Sequence, residues 1–274
     1  IKDTLSWFPF YFYEMFRNLP HIFARKNRLK IAYYPVVARP WYFIPVLAKR
    51  ANIQTVSDLS KADAVFYFED KTKMPPPDIP SEITGKLLNF KCHDITKTKV
   101  GEVFEQVFGY SLTVDPYTHE GPIAIKSEIN GAHDGYTAMA PLPKDQKLGP
   151  DMVVQKLIDN TVTIPEHPEP LARDLRCAIT GGKIGIMFIK LRPLATRFAN
   201  RNFRATCEHP DTYFSADEQA KLLEFAAAMG LDWGGMDVLR DNRDGRLYIV
   251  DVNKTDVGPS LTLSFKDKSR STAI

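Results

Sequence analysis

The sequence predicts a mixed fold, α/β with α+β character, and three observations carry that expectation. Residues 29–34 form an apolar run of strand length, residues 43–51 read as a helix with Pro40 in its first turn, and Ala64-Val65-Phe66-Tyr67-Phe68 is a second strand-like run. Val100, Val103, Phe104, Val107 and Phe108 recur at helical spacing, which places an amphipathic helix over residues 97–108, closed by Gly109. Residues 235–240 and 247–253 are strand-like runs joined by Asp241-Asn242-Arg243-Asp244-Gly245, the pattern of a hairpin.

The chain has 274 residues, 44% hydrophobic and 25% charged, which is the composition of a globular protein. Its formal net charge is +3 with lysine and arginine dispersed, so no basic block points to nucleic acid. Cys92, Cys177 and Cys207 form no CxxC pair, so neither a disulfide framework nor a zinc site is indicated. A reducing compartment, the cytoplasm, is the expected location. No apolar run reaches the ~18 residues of a membrane span.

Four segments are expected. Residues 1–28 carry an aromatic cluster, Trp7-Phe8-Pro9-Phe10-Tyr11-Phe12-Tyr13 with Met15 and Phe16 behind it. It either packs on the chain's own core or docks through residues 7–16 on a membrane surface or partner. Residues 29–80 form a small α/β unit that ends in the proline-rich linker 74–80. Residues 81–265 form the main domain, and 266–274 a loose polar tail. Within the main domain, strands are expected at 87–90, 122–127, 152–158 and 175–180. Gly181-Gly182 turns the last of these into a strand over 183–191. A loop containing Gly131, Gly135 and Pro141 separates the strands at 122–127 and 152–158. Ser215 and Glu218 make a capping box for a helix that Gly230 ends.

The last hairpin carries the sharpest chemistry. Alternation puts Leu247, Ile249, Asp251 and Asn253 on one face of a regular strand. A loop centred on Asp244 sets Asp237 opposite Asp251. Facing carboxylates destabilise a sheet unless a cation lies between them, and two hard oxygen ligands suit Mg²⁺ completed by phosphate oxygens. The alternative is that both acids are solvated.

These segments, in their order, resemble the ATP-grasp superfamily. Gly-Gly-Met-Asp237 followed by Asp251-Val-Asn253 resembles the closing strands that hold one or two Mg²⁺ on ATP, with Asp251 where glutamate is usual. Pro-Ile-Ala-Ile-Lys126 resembles the strand whose lysine reaches the α- and β-phosphates, and residues 127–136 the loop that covers them. Lys97, with Lys99 as competitor, resembles the family's other nucleotide lysine. Gln155-Lys156-Leu157-Ile158-Asp159 resembles the interdomain strand. There the backbone of Lys156 and Leu157 would pair with adenine, and Asp159 would lie near the ribose. Arg176 resembles the arginine on the transferred phosphate, with Lys190, Arg192 and Arg197 beyond it.

The resemblance implies an ATP-grasp fold with a small N-terminal Rossmann-like α/β unit, binding ATP and Mg²⁺. The activity it implies is that of a carboxylate–amine ligase acting through an acyl phosphate on a small-molecule acceptor. A kinase for a polyol or sugar hydroxyl and a non-catalytic nucleotide-binding protein are the alternatives. His133 and His93 carry no clear assignment, and no phosphate-loop, kinase, HExxH or GxSxG motif competes.

Overall fold

The computed structural model describes residues 7–17, 19, 28–258 and 262–272. The side chains of Trp7, Phe8 and Tyr11 within the expected aromatic cluster, Pro259 of the closing motif, and residues 273–274 of the tail lie outside that description.

Three sheets build the molecule. Strands β1 (Lys30–Pro35), β2 (Gln54–Thr55), β3 (Ala64–Phe68) and β4 (Lys86–Leu88) form a parallel sheet in the order β2-β1-β3-β4. Helix α2 (Phe43–Arg50) supplies one crossover. It starts later than expected: Tyr42 is its N-cap, and Pro45 rather than Pro40 occupies the first turn. Strands β5 (Gly121–Ser127), β6 (Tyr136–Ala140) and β7 (Met152–Lys156) form a second sheet, ordered β6-β5-β7. β6 lies inside the segment expected to be a loop.

The third sheet is antiparallel. It holds β8 (Thr161–Val162), β9 (Leu171–Thr180), β10 (Lys183–Pro193), β11 (Arg204–Glu208), β12 (Trp233–Arg240) and β13 (Leu247–Asn253), ordered β11-β10-β9-β12-β13 with β8 on β9. Helices α3 (Lys97–Phe108) and α4 (Ala216–Ala228) cover one face. Val100, Phe104, Leu222 and Phe225 pack there on Leu175, Cys177, Met187, Met236, Val238 and Ile249. Both helices begin as their sequences dictate. Thr96 Oγ1 accepts Lys99 N–H at 3.2 Å, and Ser215 with Glu218 closes a reciprocal capping box.

The opposite face of the same sheet is divided. One end packs on the parallel sheet through Ala178, Phe188 and Trp233 against Phe43 and Phe66. The other end is polar, and strand alternation with register explains why. Asp174 and Arg176 share the face of Ala178, and Lys190 and Arg192 share that of Phe188. Pairing sets Phe188 opposite Arg176, Lys190 opposite Asp174, and Asp237 opposite Arg176. Directly opposed residues share a face, so these charged side chains fall together.

Asn89 fastens the two sheets. Its backbone is left-handed at φ 60°, and the side chain is fully buried. Oδ1 accepts the N–H groups of Asp232 and Trp233 at 2.9 Å each, and Nδ2 donates to Trp233 O at 2.7 Å.

Two chain ends depart from expectation. The segment from residue 266 is not a loose tail: α5 (Phe265–Ser271) is capped by Ser264 and buries Lys268 and Ser271. It packs on α1 (Trp7–Arg17), where Phe10 is buried and meets Phe265 edge-on at 6.3 Å. Phe12, Met15 and Phe16 of α1 stay exposed. Cys92, Cys177 and Cys207 are free and buried. No helix among the described residues is long and apolar enough to cross a membrane.

Candidate active site

A cleft opens between the small antiparallel sheet and the polar face of the large one. Lys97, Lys126, Gln155, Lys156, Leu157, Arg192, Arg197, Asp237 and Asp251 line it. Arg176, Lys190, Asn253 and Asp159 of the expected set do not reach its wall.

The acids define one end. Asp237 lies opposite Asp251 across the β12–β13 ladder. The pairing is as expected, but the route differs. Near the loop the strands pair Val238 with Ile249 and Arg240 with Leu247, and a bulge before Asp251 shifts the register by one residue. The bulge also switches faces. Ile249, opposite Val238, is buried in the helix-side core, whereas Asp251, opposite Asp237, lines the cleft. The expectation that Ile249 shares a face with Asp251 and Asn253 is therefore wrong.

The two carboxylates have different surroundings. Asp237 Oδ1 accepts Arg176 Nη1 and Lys190 Nζ, each at 3.1 Å. Burial opposes its charge, but Lys190 and Arg176 prevail and hold the carboxyl well below the ordinary range. Asp251 lacks such partners. Its Oδ1 is buried without a hydrogen bond, and burial and then the Asp237 charge push its pKa up. The donor set fits a hard cation: a carboxylate oxygen without a partner on a residue that lines the cleft, with a second carboxylate opposite it on the ladder. Among the described residues no three His, Cys, Asp or Glu side chains converge to hold a metal unaided. A bound Mg²⁺ therefore needs oxygens from a ligand. Asn253 does not line the cleft, and its Oδ1 accepts Thr255 N–H at 2.9 Å.

Arg176 is clamped. Nε donates to Asp256 Oδ2 and Nη1 to Asp237 Oδ1, each at 3.1 Å. Gly235 makes this possible, because a Cβ there would stand 2.7 Å from the guanidinium. Asp256 in turn accepts Phe43 N–H at 3.1 Å through its carbonyl, joining the site to α2. Lys190 is spent on Asp237, and burial pushes its pKa down.

The other cations surround the open part of the cleft. Lys126 Nζ donates to Gln155 Oε1 at 3.0 Å, and burial pushes its pKa down to about 8. Lys97 Nζ donates to Ile129 O at 3.0 Å, tying α3 to the loop after β5. Arg192 pairs with Asp174 and donates to Asn202 Oδ1 at 2.9 Å. Arg197 donates to Ile158 O at 3.0 Å and Asn160 Oδ1 at 2.6 Å, and burial pushes its pKa down. The loop after β5 lies across the cleft: Gly131, His133 and Gly135 line it, and His133 Nδ1 bonds Phe198 O at 3.1 Å.

The interdomain strand differs from expectation in detail. The N–H groups of Lys156 and Leu157 donate to Leu112 O at 2.9 Å and Pro122 O at 3.1 Å, so neither is free for a base. Asp159 Oδ1 accepts Thr161 N–H at 3.2 Å, and Asp159 O accepts Asn242 N–H at 2.7 Å. Asp159 thus joins the linker to the β12–β13 loop instead of entering the cleft.

Three residues of the site were not foreseen: Asp174, Asp256 and Phe198. Asp174 and Asp256 stand within the motif segments that flagged Arg176 and Asn253, and carboxylates near cationic strand residues were the available signal. Phe198 follows Arg197, and its ring lies 5.8 Å from both Lys126 Nζ and the Arg197 guanidinium.

The cleft thus has facing acids at one end and lysines and arginines around the rest. No protein-family model and no curated protein matches the chain. Solved structures do. The ATP-grasp ligase PsnB complexed with minimal precursor, Mg and ADP is 13% identical, covering 82% of this chain and 88% of that one, at a TM-score of 0.56. PsnB complexed with precursor peptide PsnA2 and AMPPNP is 12% identical over 83% and 88%, at 0.53. In a PsnB complex with a phosphomimetic variant of minimal precursor, Mg and ADP, the match is 15% identical, spans 62% of this chain and 53% of that one, and scores 0.43. The chain has the ATP-grasp fold, a mixed α/β architecture with a parallel N-terminal sheet.

Proposed function

We propose that this protein is an ATP- and Mg²⁺-dependent carboxylate–amine ligase that works through an acyl phosphate. The observation that carries the reading is the bare, buried Asp251 Oδ1 facing Asp237 in a cleft otherwise walled by Lys97, Lys126, Arg192 and Arg197. Such a site is incomplete until a polyphosphate and a cation enter together.

Asp251 and Asp237 would hold Mg²⁺, which would supply charge neutralisation on the ATP phosphates. Lys97 and Lys126 hold the non-transferred phosphates. Arg192 and Arg197 hold the moving phosphoryl group. Arg176 joins them only by exchanging its Asp237 bond for a phosphoryl oxygen, with Asp256 keeping its position. The acceptor carboxylate attacks the γ-phosphorus and ADP leaves. An amine then attacks the acyl carbon, phosphate leaves with the bonding pair, and the nitrogen loses a proton. The PsnB structures hold a precursor or precursor peptide, which supports a peptide as well as a small molecule as acceptor.

The test is ADP release with Mg-ATP over a panel of amino acids, peptides, dicarboxylates, polyols and sugars, with and without an added amine. Amine-dependent turnover in wild type that drops at least about a hundredfold in Asp251→Ala is the expected result. A stable phosphoester formed without amine identifies a kinase instead. Absence of any Mg-ATP-dependent rise in melting temperature refutes the nucleotide site.

A further inference from the structure

Gln155 sits on β7 with 1% of its surface exposed, and its two polar ends are not equivalent. Oε1 accepts Lys126 Nζ at 3.0 Å. Nε2 is buried with no hydrogen-bond partner, although the residue lines the cleft. The orientation is fixed by chemistry, because the reversed amide would set its NH₂ group against a lysine that has only donors. A buried donor without an acceptor is unfavourable, so Nε2 requires an acceptor on whatever fills the cleft.

Ala124, Leu157, Ile158, Leu239 and Val250 line the same cleft and give part of its wall an apolar character. Two acceptors along the linker are already engaged. Leu157 O accepts Arg243 Nη2 at 2.8 Å, and Ile158 O accepts Arg197 Nη2 at 3.0 Å. Gln155 therefore brings an unmet donor to the cleft, whereas the Leu157 and Ile158 carbonyls each already hold one donor.

We propose that Gln155 is a base-specificity residue, and that it lets the cleft take 6-oxopurine triphosphates, GTP or ITP, at least as well as ATP. The inference rests on the nucleotide site proposed above. At its 6-position adenine presents an amino donor, which meets Nε2 donor to donor. Guanine and hypoxanthine present a carbonyl there, which supplies the missing acceptor. A carboxylate at position 155 reverses the preference, since it only accepts.

The experiment measures dissociation constants and ligand-induced melting shifts for Mg-ATP, Mg-GTP and Mg-ITP. It uses the full chain as wild type, Gln155→Glu and Gln155→Met. Wild type is expected to bind GTP or ITP no more weakly than ATP. Gln155→Glu is expected to move the GTP-to-ATP affinity ratio toward ATP by about five- to a hundredfold. Gln155→Met, which has neither donor nor acceptor strength, is expected to lose the preference while still binding ATP. The ratio within one variant cancels any general loss of stability. Wild type that binds ATP but rejects both 6-oxopurines by more than tenfold, or a ratio unmoved in Gln155→Glu, overturns the inference and leaves the nucleotide site standing. If none of the three triphosphates binds wild type, the nucleotide site itself is wrong and the inference falls with it.

Discussion

Replacing Lys126 with methionine is expected to stabilise the empty protein and weaken nucleotide binding, two effects of opposite sign from one side chain. Lys126 ends an apolar strand, and its ammonium finds only the Gln155 carbonyl oxygen at 3.0 Å and the Phe198 ring. Burial lowers its pKa from 10.5 to about 8. At about 1.4 kcal/mol per pH unit, that difference is a penalty of about 3 kcal/mol on the charged form in the folded state. The sign is that of a depressed base. Below pH 8 the penalty is fully present. Between pH 8 and 10.5 the unfolded chain still holds the proton that the folded chain has released, so stability rises with pH across that window. Methionine removes the penalty and loses a hydrogen bond of about 1 kcal/mol. Lys126→Met should therefore gain about 2 kcal/mol at pH 7, and the gain should shrink toward pH 10. Polyphosphate restores the charged lysine, so wild-type binding takes up a proton above pH 8 and weakens by up to about tenfold per pH unit. The variant should bind about ten- to a hundredfold more weakly at pH 7, with no such slope. Urea unfolding and calorimetric titration with a non-hydrolysable ATP analogue at pH 7, 8 and 9 read both effects. A variant less stable than wild type at pH 7, together with wild-type affinity flat from pH 7 to 9, would refute the argument.

Three further perturbations test other parts of the site. Asp251→Asn removes a buried carboxylate whose pKa is raised by burial and by Asp237, so it should raise the melting temperature at pH 7 and abolish the extra shift that Mg²⁺ gives with ATP. Gly235→Ala sets a Cβ 2.7 Å from the Arg176 guanidinium and should destabilise by about 1–3 kcal/mol, with turnover falling at least as steeply, as read by denaturant unfolding and ADP release. Asn89→Ala strips partners from the buried N–H groups of Asp232 and Trp233 and should cost about 3–5 kcal/mol; a loss below about 1 kcal/mol would show that the two sheets do not depend on it.

How far the sequence revealed this arrangement depends on whether the signal was local. The amphipathic helix over 97–108 and the capping box at Ser215 are written in consecutive residues, and both appear as read. The pairing of Asp237 with Asp251 was correct by an incomplete route. A loop centred on Asp244 and a tighter loop followed by a bulge give the same partner but opposite faces for Ile249. Strand β6 escaped because Tyr136–Ala140 is short and mostly exposed, and lies between Gly135 and Pro141, so neither burial nor alternation marks it. Helix α5 looks like a polar tail, and it is packing on α1 and β11, both distant in sequence, that accompanies the burial of Lys268 and Ser271. The linker was misjudged for the same reason. Whether the Lys156 and Leu157 N–H groups are free is decided by Leu112 and Pro122, more than 30 residues away in the chain.

The two facing acids show what this fold adds to a motif. Residue type alone makes Asp237 and Asp251 equivalent, yet their environments drive their proton affinities in opposite directions. Asp237 is ionised in the empty protein because Arg176 and Lys190 already neutralise it. Asp251 makes no such ion pair: burial and the Asp237 charge outweigh Lys97, Arg176 and Lys126, which favour its charge. The same division separates the cations. Arg176, Lys190 and Arg192 are held by carboxylates, whereas Lys97, Lys126 and Arg197 donate to carbonyl or amide oxygens that offset little of their charge. Neutralised groups fix the geometry of the site, and groups without a charged partner create the demand for a polyanion and a divalent cation. Entry of both satisfies Asp251 and the cationic wall together, whereas either alone leaves one side uncompensated. On the proposed reading, nucleotide and metal therefore enter the site as one unit.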